Sequence, residues 1–182
     1  MILDGLLQFT GGAGGVGSTN NADAPTTGTQ TSSNVLDLHM AGIPVLANNQ
    51  GARDFGIGDD PALKILAQVS VAFTAGTSMQ LNFQGATDNG SGAPAAFTTW
   101  YSSPVYAEAT LVVGARLLDM DVPRPPAGVA IPRFLQLQYV TVGAHATGRL
   151  QSWIVIDRHD QVYNATSNAI LGGYPPGIAI AN

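Results

Sequence analysis

The sequence predicts an all-β fold, a jelly roll or antiparallel β-sandwich of about seven or eight strands with long loops and extended termini. Apolar and polar residues alternate in several short segments, as they do on strands that are buried on one face. No segment of ten residues keeps a helical period, and 22 Gly and 11 Pro divide the 182 residues into short pieces. This length fits one domain, residues 1–182.

The most regular alternation covers residues 63–83. Apolar side chains occupy every second position up to residue 73, and the alternation resumes after the Gly-containing residues 74–77. This pattern predicts two antiparallel strands joined as a hairpin, with one buried and one hydrated face. The remaining chain must then cover the apolar face.

The rest of the chain divides into two terminal segments, one insert and four further strands. Residues 1–9 form a short apolar element that must dock on another part of the protein, and residues 10–33 form a flexible insert rich in Gly and Thr. Residues 158–182 form an extended C-terminal tail. Further strands are predicted at residues 34–38, 118–122, 133–142 and 150–156.

The composition predicts a surface that is polar but mostly uncharged. Charged residues make up 10% of the chain, against roughly 25% in an average globular domain. Hydroxyl and amide groups cost less to remove from water than ions, so this composition suits a protein that contacts other subunits, and it fits a sandwich with a Thr-rich surface equally well. Six of the seven basic residues are Arg, which is enriched in interfaces.

Charge and hydropathy exclude several classes of partner and site. The net charge of −5 and the lack of a basic stripe argue against nucleic-acid binding. No segment approaches the roughly 20 apolar residues that span a bilayer, and no signal peptide is recognisable, so we expect a protein made and kept in a cytosol. Without cysteine, disulfides and thiolate metal sites are excluded.

A glycine-rich motif at residues 12–17 fits the dinucleotide pattern G-x-G-x-x-G, and Asp37 follows Gly17 by 20 residues. The motif needs a helix directly after the glycines, because the helix N-terminus holds the pyrophosphate. Residues 18–33 contain Pro25, five threonines and no apolar stripe. We therefore interpret the glycines as flexible chain, and no cofactor is predicted.

Two acidic residues on one predicted strand, Asp119 and Asp121, would lie about 7 Å apart. That separation suits a cation site or an acid and base, but a solvated outer face explains both residues and is the interpretation we prefer. The three histidines, His39, His145 and His159, have no metal-ligand spacing. No catalytic residue and no metal site are predicted, and we do not expect an enzyme.

Trp100, Tyr101 and Tyr106 lie in a segment rich in Ser and Pro. Exposed aromatic rings can stack on sugars, so these residues could form the platform of a carbohydrate-binding module. Packing in the core or against another subunit explains the same residues, and we prefer it.

A series of short segments along most of the chain carries a family resemblance. It comprises residues 1–9 (Met-Ile-Leu-Asp-Gly-Leu-Leu-Gln-Phe), 34–38 (Asn-Val-Leu-Asp-Leu), 53–58 (Arg-Asp-Phe-Gly-Ile-Gly), 114–118 (Gly-Ala-Arg-Leu-Leu), 121–125, 132–137 (Pro-Arg-Phe-Leu-Gln-Leu), 154–158 (Ile-Val-Ile-Asp-Arg) and 174–175 (Tyr-Pro). In this order the set resembles the small jelly-roll cement proteins, or decoration proteins, of tailed-bacteriophage heads.

The resemblance implies a trimeric jelly roll on the outer surface of an icosahedral phage head, where it stabilises contacts between subunits of the major capsid protein. Such a protein is a structural part of the virion, is present in the host cytoplasm during assembly, and has no catalytic residues. The chain departs from the family by the insert at residues 11–33 and by the loops around residues 41–50 and 90–96.

We expect both ends of the chain to contact neighbouring subunits, with three arginines as polar anchors. The expected partners are further copies of the chain, as a homotrimer, and the major capsid protein, with neither nucleic acid nor membrane. The predicted interface residues are Ile2, Leu3, Leu6, Leu7, Phe9, Arg53, Arg116, Arg133, Tyr174, Ile178 and Ile180.

Overall fold

Two antiparallel β-sheets pack against each other in the computed structural model, which describes residues 7–11, 22–38, 63–155, 162–164 and 169–171. The predicted all-β sandwich is confirmed. These ranges contain eleven strands, several of only two or three residues, and one 3-10 turn, Glu108–Thr110. No helix in the same ranges is long and apolar enough to cross a membrane.

The described strands form a large sheet of six strands and a small sheet of three. The strands of the large sheet are β1 (Gly28–Thr31), β2 (Leu36–Asp37), β4 (Ser78–Ala86), β5 (Thr98–Ser102), β6 (Tyr106–Ala107) and β8 (Phe134–Val142). Their order is β1-β8-β4-β5, with β2 paired to β8 and β6 paired to β4. The strands of the small sheet are β3 (Lys64–Thr74), β7 (Arg116–Asp121) and β9 (Thr147–Val155), in the order β7-β3-β9. Two short strands, β10 (Val162–Asn164) and β11 (Ala169–Leu171), pair with each other.

The core lies between the two sheets, where alternate side chains of each sheet point towards the other. Burying one large apolar side chain contributes about 1.5–3 kcal/mol. The inward-pointing apolar side chains of both sheets therefore hold the sheets together. The fully buried members include Ile65, Val69, Leu150 and Ile154 from the small sheet and Met79, Leu81, Phe83, Leu135, Leu137 and Tyr139 from the large sheet.

The predicted hairpin at residues 63–83 is wrong, although both of its strands are present. β3 pairs with β7 and β9 in the small sheet, whereas β4 pairs with β8, β5 and β6 in the large sheet. Residues 75–77 carry the chain from one sheet to the other, with Ala75 at a φ of 66° and Thr77 N–H donating to Val142 O at 2.9 Å. Alternation indicates which face of a strand is buried but not which strand lies beside it, and here the two apolar faces meet across the core.

Gly76 is needed at this crossing because the ring of His145 fills the space where a side chain would begin. A Cβ on Gly76 would lie 2.0 Å from that ring. His145 is 3% exposed and packs edge-on against Phe73, with ring centroids 5.2 Å apart. A second crossing between the sheets, residues 143–146, connects β8 to β9 and contains His145. The crossing between β3 and β4 thus packs against this second crossing.

The other four predicted strands are present as β2, β7, β8 and β9. The sequence analysis missed β5, and it missed β1 because β1 lies in the predicted flexible insert at residues 10–33. The described parts of that insert are residues 10–11 and 22–33, and in the second of them β1 pairs with β8 along its whole length. An edge strand joins a sheet through its backbone and needs few apolar side chains, so its composition resembled that of a loop.

The two remaining segments predicted to lie outside the sandwich are only partly described. Residues 12–21 of the insert, which include the whole glycine-rich motif at residues 12–17, lie outside the described residues. The predicted tail at residues 158–182 contains the β10–β11 pair. Its other residues also lie outside the described part of the chain.

Residues 7–11 pack along the edge of β9. Phe9 N–H donates to Ser152 O at 3.0 Å, and Ser152 N–H donates to Thr10 Oγ1 at 3.1 Å. The Phe9 ring is fully buried and meets Phe83 edge to face at 6.2 Å. Residues 1–9 were expected to dock on another part of the protein. This docking is seen for residues 7–9, the part of that segment that the structure describes.

Candidate interaction surface

Amide side chains line the outer face of the large sheet. Because side chains alternate along a strand, the residues between the core positions of β4 and β8 point away from the core. The register of these two strands places Asn82 opposite Gln138 and Gln84 opposite Gln136. We call the following set the amide face: Gln80, Asn82, Gln84, Gln136 and Gln138.

The amides bond to one another across the strands. Gln136 Nε2 donates to Gln84 Oε1 at 2.8 Å, and Gln84 Nε2 donates to Thr99 Oγ1 on β5 at 3.0 Å. Asn82 Nδ2 donates to Gln138 Oε1 at 3.0 Å. Gln84 and Gln136 are each 6% exposed, and these hydrogen bonds replace the water that burial removes.

The amide face and the strands around it carry no charge. β1, β4, β5 and β8 contain no Asp, Glu, Lys or Arg. Thr29 and Thr31 on β1 extend the face, because they lie opposite Val140 and Gln138. Hydroxyls and amides cost far less to remove from water than ions do, so this surface suits contact with another surface.

Arg133 and two carboxylates close one end of the amide face. Arg133 Nε donates to Asp37 Oδ1 at 2.8 Å, Nη2 donates to Asp37 Oδ2 at 3.0 Å, and Nη1 donates to Asp88 Oδ2. The guanidinium carbon lies 4.9 Å from the centre of the Phe134 ring. The Arg133 side chain is only 12% exposed, so its donors serve the chain itself.

Neighbouring groups keep the charges of this cluster ionised. The N–H of Gly92 is the main cause that lowers the pKa of Asp88, burial opposes it, and Gly90 N–H and Arg133 lower the pKa further. The hydrogen bond to Asp37 raises the pKa of Arg133. The cluster therefore joins β2, the loop after β4 and the start of β8 through permanent charges.

Asp23 forms a second polar centre, at the edge of the core. It is fully buried, and its Oδ2 accepts hydrogen bonds from Tyr139 OH and Ser33 N–H, both at 3.0 Å. Its Oδ1 accepts from Ser33 Oγ at 2.5 Å and from Gly11 N–H at 3.2 Å. Its backbone pairs with Leu150 in both directions at 2.8 Å. Neutral donors thus take the place of water around a buried carboxylate.

Tyr139, which lies on β8 of the large sheet, donates a hydrogen bond to Asp23. Burial raises the pKa of Tyr139 well above its usual value, and the negative charge of Asp23 adds to the effect. Tyr139 therefore stays protonated and donates. The sequence analysis assigned no role to Asp23, and its only signal is that it is the sole acidic residue in residues 10–33.

The described residues contain no group of three or more histidines and acids that could hold a metal ion. His145 is buried beside the chain crossings, with its Nε2 at 3.4 Å from Ser78 O. His39 and His159 lie outside the described residues.

The two acidic residues of β7 form separate ion pairs. Lys64 Nζ donates to Asp121 at 2.8 Å, and Arg116 Nη1 donates to Asp119 at 3.4 Å. The side chains of Asp121 and Asp119 are 66% and 35% exposed, in agreement with the solvated outer face. Arg116, predicted as an intersubunit anchor, contacts a carboxylate of its own strand.

Two predicted interface residues belong to the protein's own core. Leu7 is 7% exposed and Phe9 is 0% exposed, so neither side chain is available to a neighbouring subunit. This part of the prediction is corrected, because the apolar residues near this end of the chain cover its own sandwich. The predicted interface residues outside the described part of the chain are Ile2, Leu3, Leu6, Arg53, Tyr174, Ile178 and Ile180.

The aromatic residues of β5 and β6 pack against the core. Trp100 meets Phe83 edge to face at 5.7 Å, and its ring lies so close to Gly85 that a Cβ there would be 2.2 Å away. Tyr106 OH donates to Leu117 O. Trp100 and Tyr106 thus pack against the core, as the preferred interpretation of these aromatic residues predicted, and both remain partly exposed.

In comparisons with known proteins, no protein-family model and no curated protein matches the chain.

Proposed function

We propose that the protein is a capsid decoration protein, a structural component that binds the outer surface of an icosahedral tailed-phage head as a homotrimer. It stabilises the contacts between subunits of the major capsid protein and acts by binding rather than by catalysis. The observation that carries the proposal is the uncharged amide face. The ordered segments that resemble cement proteins give the proposal its biological setting.

A low cost of desolvation favours the amide face as a binding surface. Gln84 and Gln136 are already buried and bonded within the sheet. Gln80 donates to Ser103 O and Asn82 donates to Gln138, so a partner that covers these half-buried side chains leaves few further donors unbonded, although Asn82 Oδ1 is buried without a hydrogen bond. A decoration protein adds such contacts many times around a closed shell. Many modest contacts then increase the stability of the whole assembly by mass action.

The first experiment measures the mass of the purified protein by light scattering and then mixes it with undecorated heads of the phage that carries its gene. The expected result is a trimer that sediments with the heads at a fixed ratio to the major capsid protein. A protein that stays in the supernatant would contradict the capsid proposal.

A pair of matched variants tests the surface. Gln138→Glu adds a charge to the amide face but keeps an acceptor for Asn82 Nδ2, whereas Gln68→Glu makes the same change on the small sheet. We expect the first to weaken sedimentation with heads and the second to leave it unchanged. Equal binding by both would remove the amide face from the proposal.

Carbohydrate binding is the alternative function that the sequence left open. It would use Trp100 and Tyr101 as a stacking platform, and the packing of Trp100 on Phe83 and Gly85 occupies part of that ring. Binding on a glycan array that is lost in Trp100→Ala, together with no binding to heads, would favour this alternative.

A further inference from the structure

The large sheet ends in two exposed edge strands, β1 and β5. Each pairs with one neighbour in the described part of the chain, β1 with β8 and β5 with β4. Most of their residues are exposed, whereas the inner strands β4 and β8 are mostly buried. The two strands have similar lengths, four and five residues.

The hydrogen bonds of the sheet show which backbone groups point outwards. Ser32 N–H donates to Leu137 O at 2.8 Å, so alternation turns the N–H of Thr31 away from β8. Ser103 N–H donates to Leu81 O at 2.8 Å, so the N–H of Ser102 points away from β4. Each edge therefore offers donors and acceptors that another strand could use.

Neither edge strand contains a charged residue or a proline, although β1 is short and the pairing of β5 is shifted beside Phe83 and Gln84. Proline and charged residues, above all lysine, commonly block such edges, but β1 is Gly-Thr-Gln-Thr and β5 is Thr-Thr-Trp-Tyr-Ser. The small sheet differs. Its β7 edge carries Arg116, Asp119 and Asp121, and its β9 edge is bonded by the backbone of Phe9 and Asp23.

We infer that β1 of one copy pairs with β5 of a second copy, so that the large sheet continues from subunit to subunit. The partly buried rings of Trp100 and Tyr101 lie on β5 and add apolar contact area beside the paired backbones. A contact between two different edges is a head-to-tail contact. It produces a closed ring when the rotation from each subunit to the next returns to the first subunit. The inference rests on the homotrimer of the proposed function and names the surfaces that form it.

The test uses proline at the two outward N–H groups, Thr31→Pro and Ser102→Pro. Proline removes the outward donor and leaves the inward hydrogen bonds of the edge strand in place. By light scattering, the wild-type protein is expected to be a trimer and each proline variant a monomer with an unchanged circular dichroism spectrum. Thr31→Ala and Ser102→Ala keep the N–H and should remain trimers.

Mixing the two proline variants gives the sharpest result. Thr31→Pro retains an intact β5 edge and Ser102→Pro retains an intact β1 edge, so one good contact can form between them. The mixture is therefore expected to give a one-to-one dimer and no trimer. An interface that used the same edge on both copies would give no such dimer.

Amide hydrogen exchange tests the inference on the wild-type protein and does not depend on the folding of any variant. The amides of Thr31 and Ser102 should be protected in the trimer if they are paired. Fast exchange at both, or trimeric proline variants, would overturn the edge pairing but leave the capsid role intact. A wild-type trimer that does not bind heads would contradict the capsid role and leave the edge pairing intact, whereas a wild-type monomer would overturn the pairing and the trimer together.

Discussion

The outer faces of the two sheets differ in charge, although both sheets cover the same core. The strands of the small sheet carry five charged residues, and the four strands β1, β4, β5 and β8 of the large sheet carry none. Ions keep their water, whereas the paired amides of the large sheet can lose it at a lower cost. In this chain the placement of the charges distinguishes the two surfaces more clearly than the overall composition does. The charged residues of the small sheet are Lys64, Arg116, Asp119, Asp121 and Arg149.

A charge placed within the amide face should have the largest effect. Gln136→Glu puts a carboxylate beside Gln84 Oε1, which now accepts from Gln136 Nε2 at 2.8 Å. A buried carboxylate beside a carbonyl oxygen should lower the free energy of unfolding by about 2–4 kcal/mol. Urea unfolding at neutral pH measures the change. Gln68→Glu on the small sheet is the control, with less than about 0.5 kcal/mol expected; equal losses would show that the faces do not differ.

The buried carboxyl group of Asp23 sharpens the comparison, because it lies between the two sheets: its backbone pairs with Leu150 of the small sheet and its side chain accepts from Tyr139 of the large sheet. Tyr139→Phe removes one of its donors and should cost about 1–3 kcal/mol of unfolding free energy at pH 7. Tyr101→Phe is the control, since its hydroxyl is not among the donors to Asp23. An unchanged stability of Tyr139→Phe would mean that the carboxylate does not need this donor.

The same pair predicts a loss of stability in alkali. The pKa of Tyr139 is higher in the folded than in the unfolded protein, so the unfolded chain loses this proton first. The contribution of Tyr139 is complete below the unfolded pKa of about 10 and is lost as the pH rises towards the folded value. Above pH 10 the wild type should lose up to about 1.4 kcal/mol per pH unit more than Tyr139→Phe. Parallel pH profiles from urea unfolding would contradict this.

A smaller effect is expected at the end of the amide face, where a charge is tolerated because it is paired. Arg133→Met leaves Asp37 and Asp88 without their shared cation and should lower the free energy of unfolding at pH 7, by less than Gln136→Glu does, because both carboxylates are partly exposed. The pKa of Asp88 is lowered by folding, so its contribution is present above the unfolded value and lost as the pH falls. The difference between wild type and variant in urea unfolding should therefore shrink in acid. A difference that grows in acid would refute the assignment.

The smallest effect is expected on the solvated face. Lys64→Ala breaks the ion pair with Asp121, whose side chain is 66% exposed. Exposed pairs contribute little, so the free energy of unfolding should change by less than about 0.5 kcal/mol. Thermal unfolding at low and high salt measures it. A loss as large as that of Gln136→Glu would end the contrast between the two faces.

Most of the long strands could be predicted from the sequence, but their partners could not. Alternation located β3, β4, β7, β8 and β9, because a half-buried strand needs apolar side chains at every second position. The same pattern cannot distinguish a hairpin from a crossing between sheets, so residues 63–83 were paired wrongly. The outward position of Gln80, Asn82 and Gln84 was predicted, whereas their bonds to β8 depend on a register that no local pattern contains.

The remaining misses have a common physical cause. β1 and Asp23 belong to a segment with few apolar residues, and they join the fold through backbone and polar bonds instead. Leu7 and Phe9 were assigned to neighbouring subunits, because the sequence shows that an apolar end must be covered but not by which surface. Contacts between segments distant in the chain determine both the position of β1 and Asp23 and the surface that covers Leu7 and Phe9.

The crossing at residues 75–77 also determines when the protein can fold during its synthesis. Because β3 and β4 turn away from each other, each has a main partner much later in the chain, with Leu81 opposite Tyr139 and Ile65 opposite Ile154, although β4 also pairs with the nearby β5. Closing such long loops slows folding, since their entropy is lost before the contacts can form. The small sheet is therefore completed only after β9 has left the ribosome, and until then the apolar rows of the nascent chain stay open to other contacts.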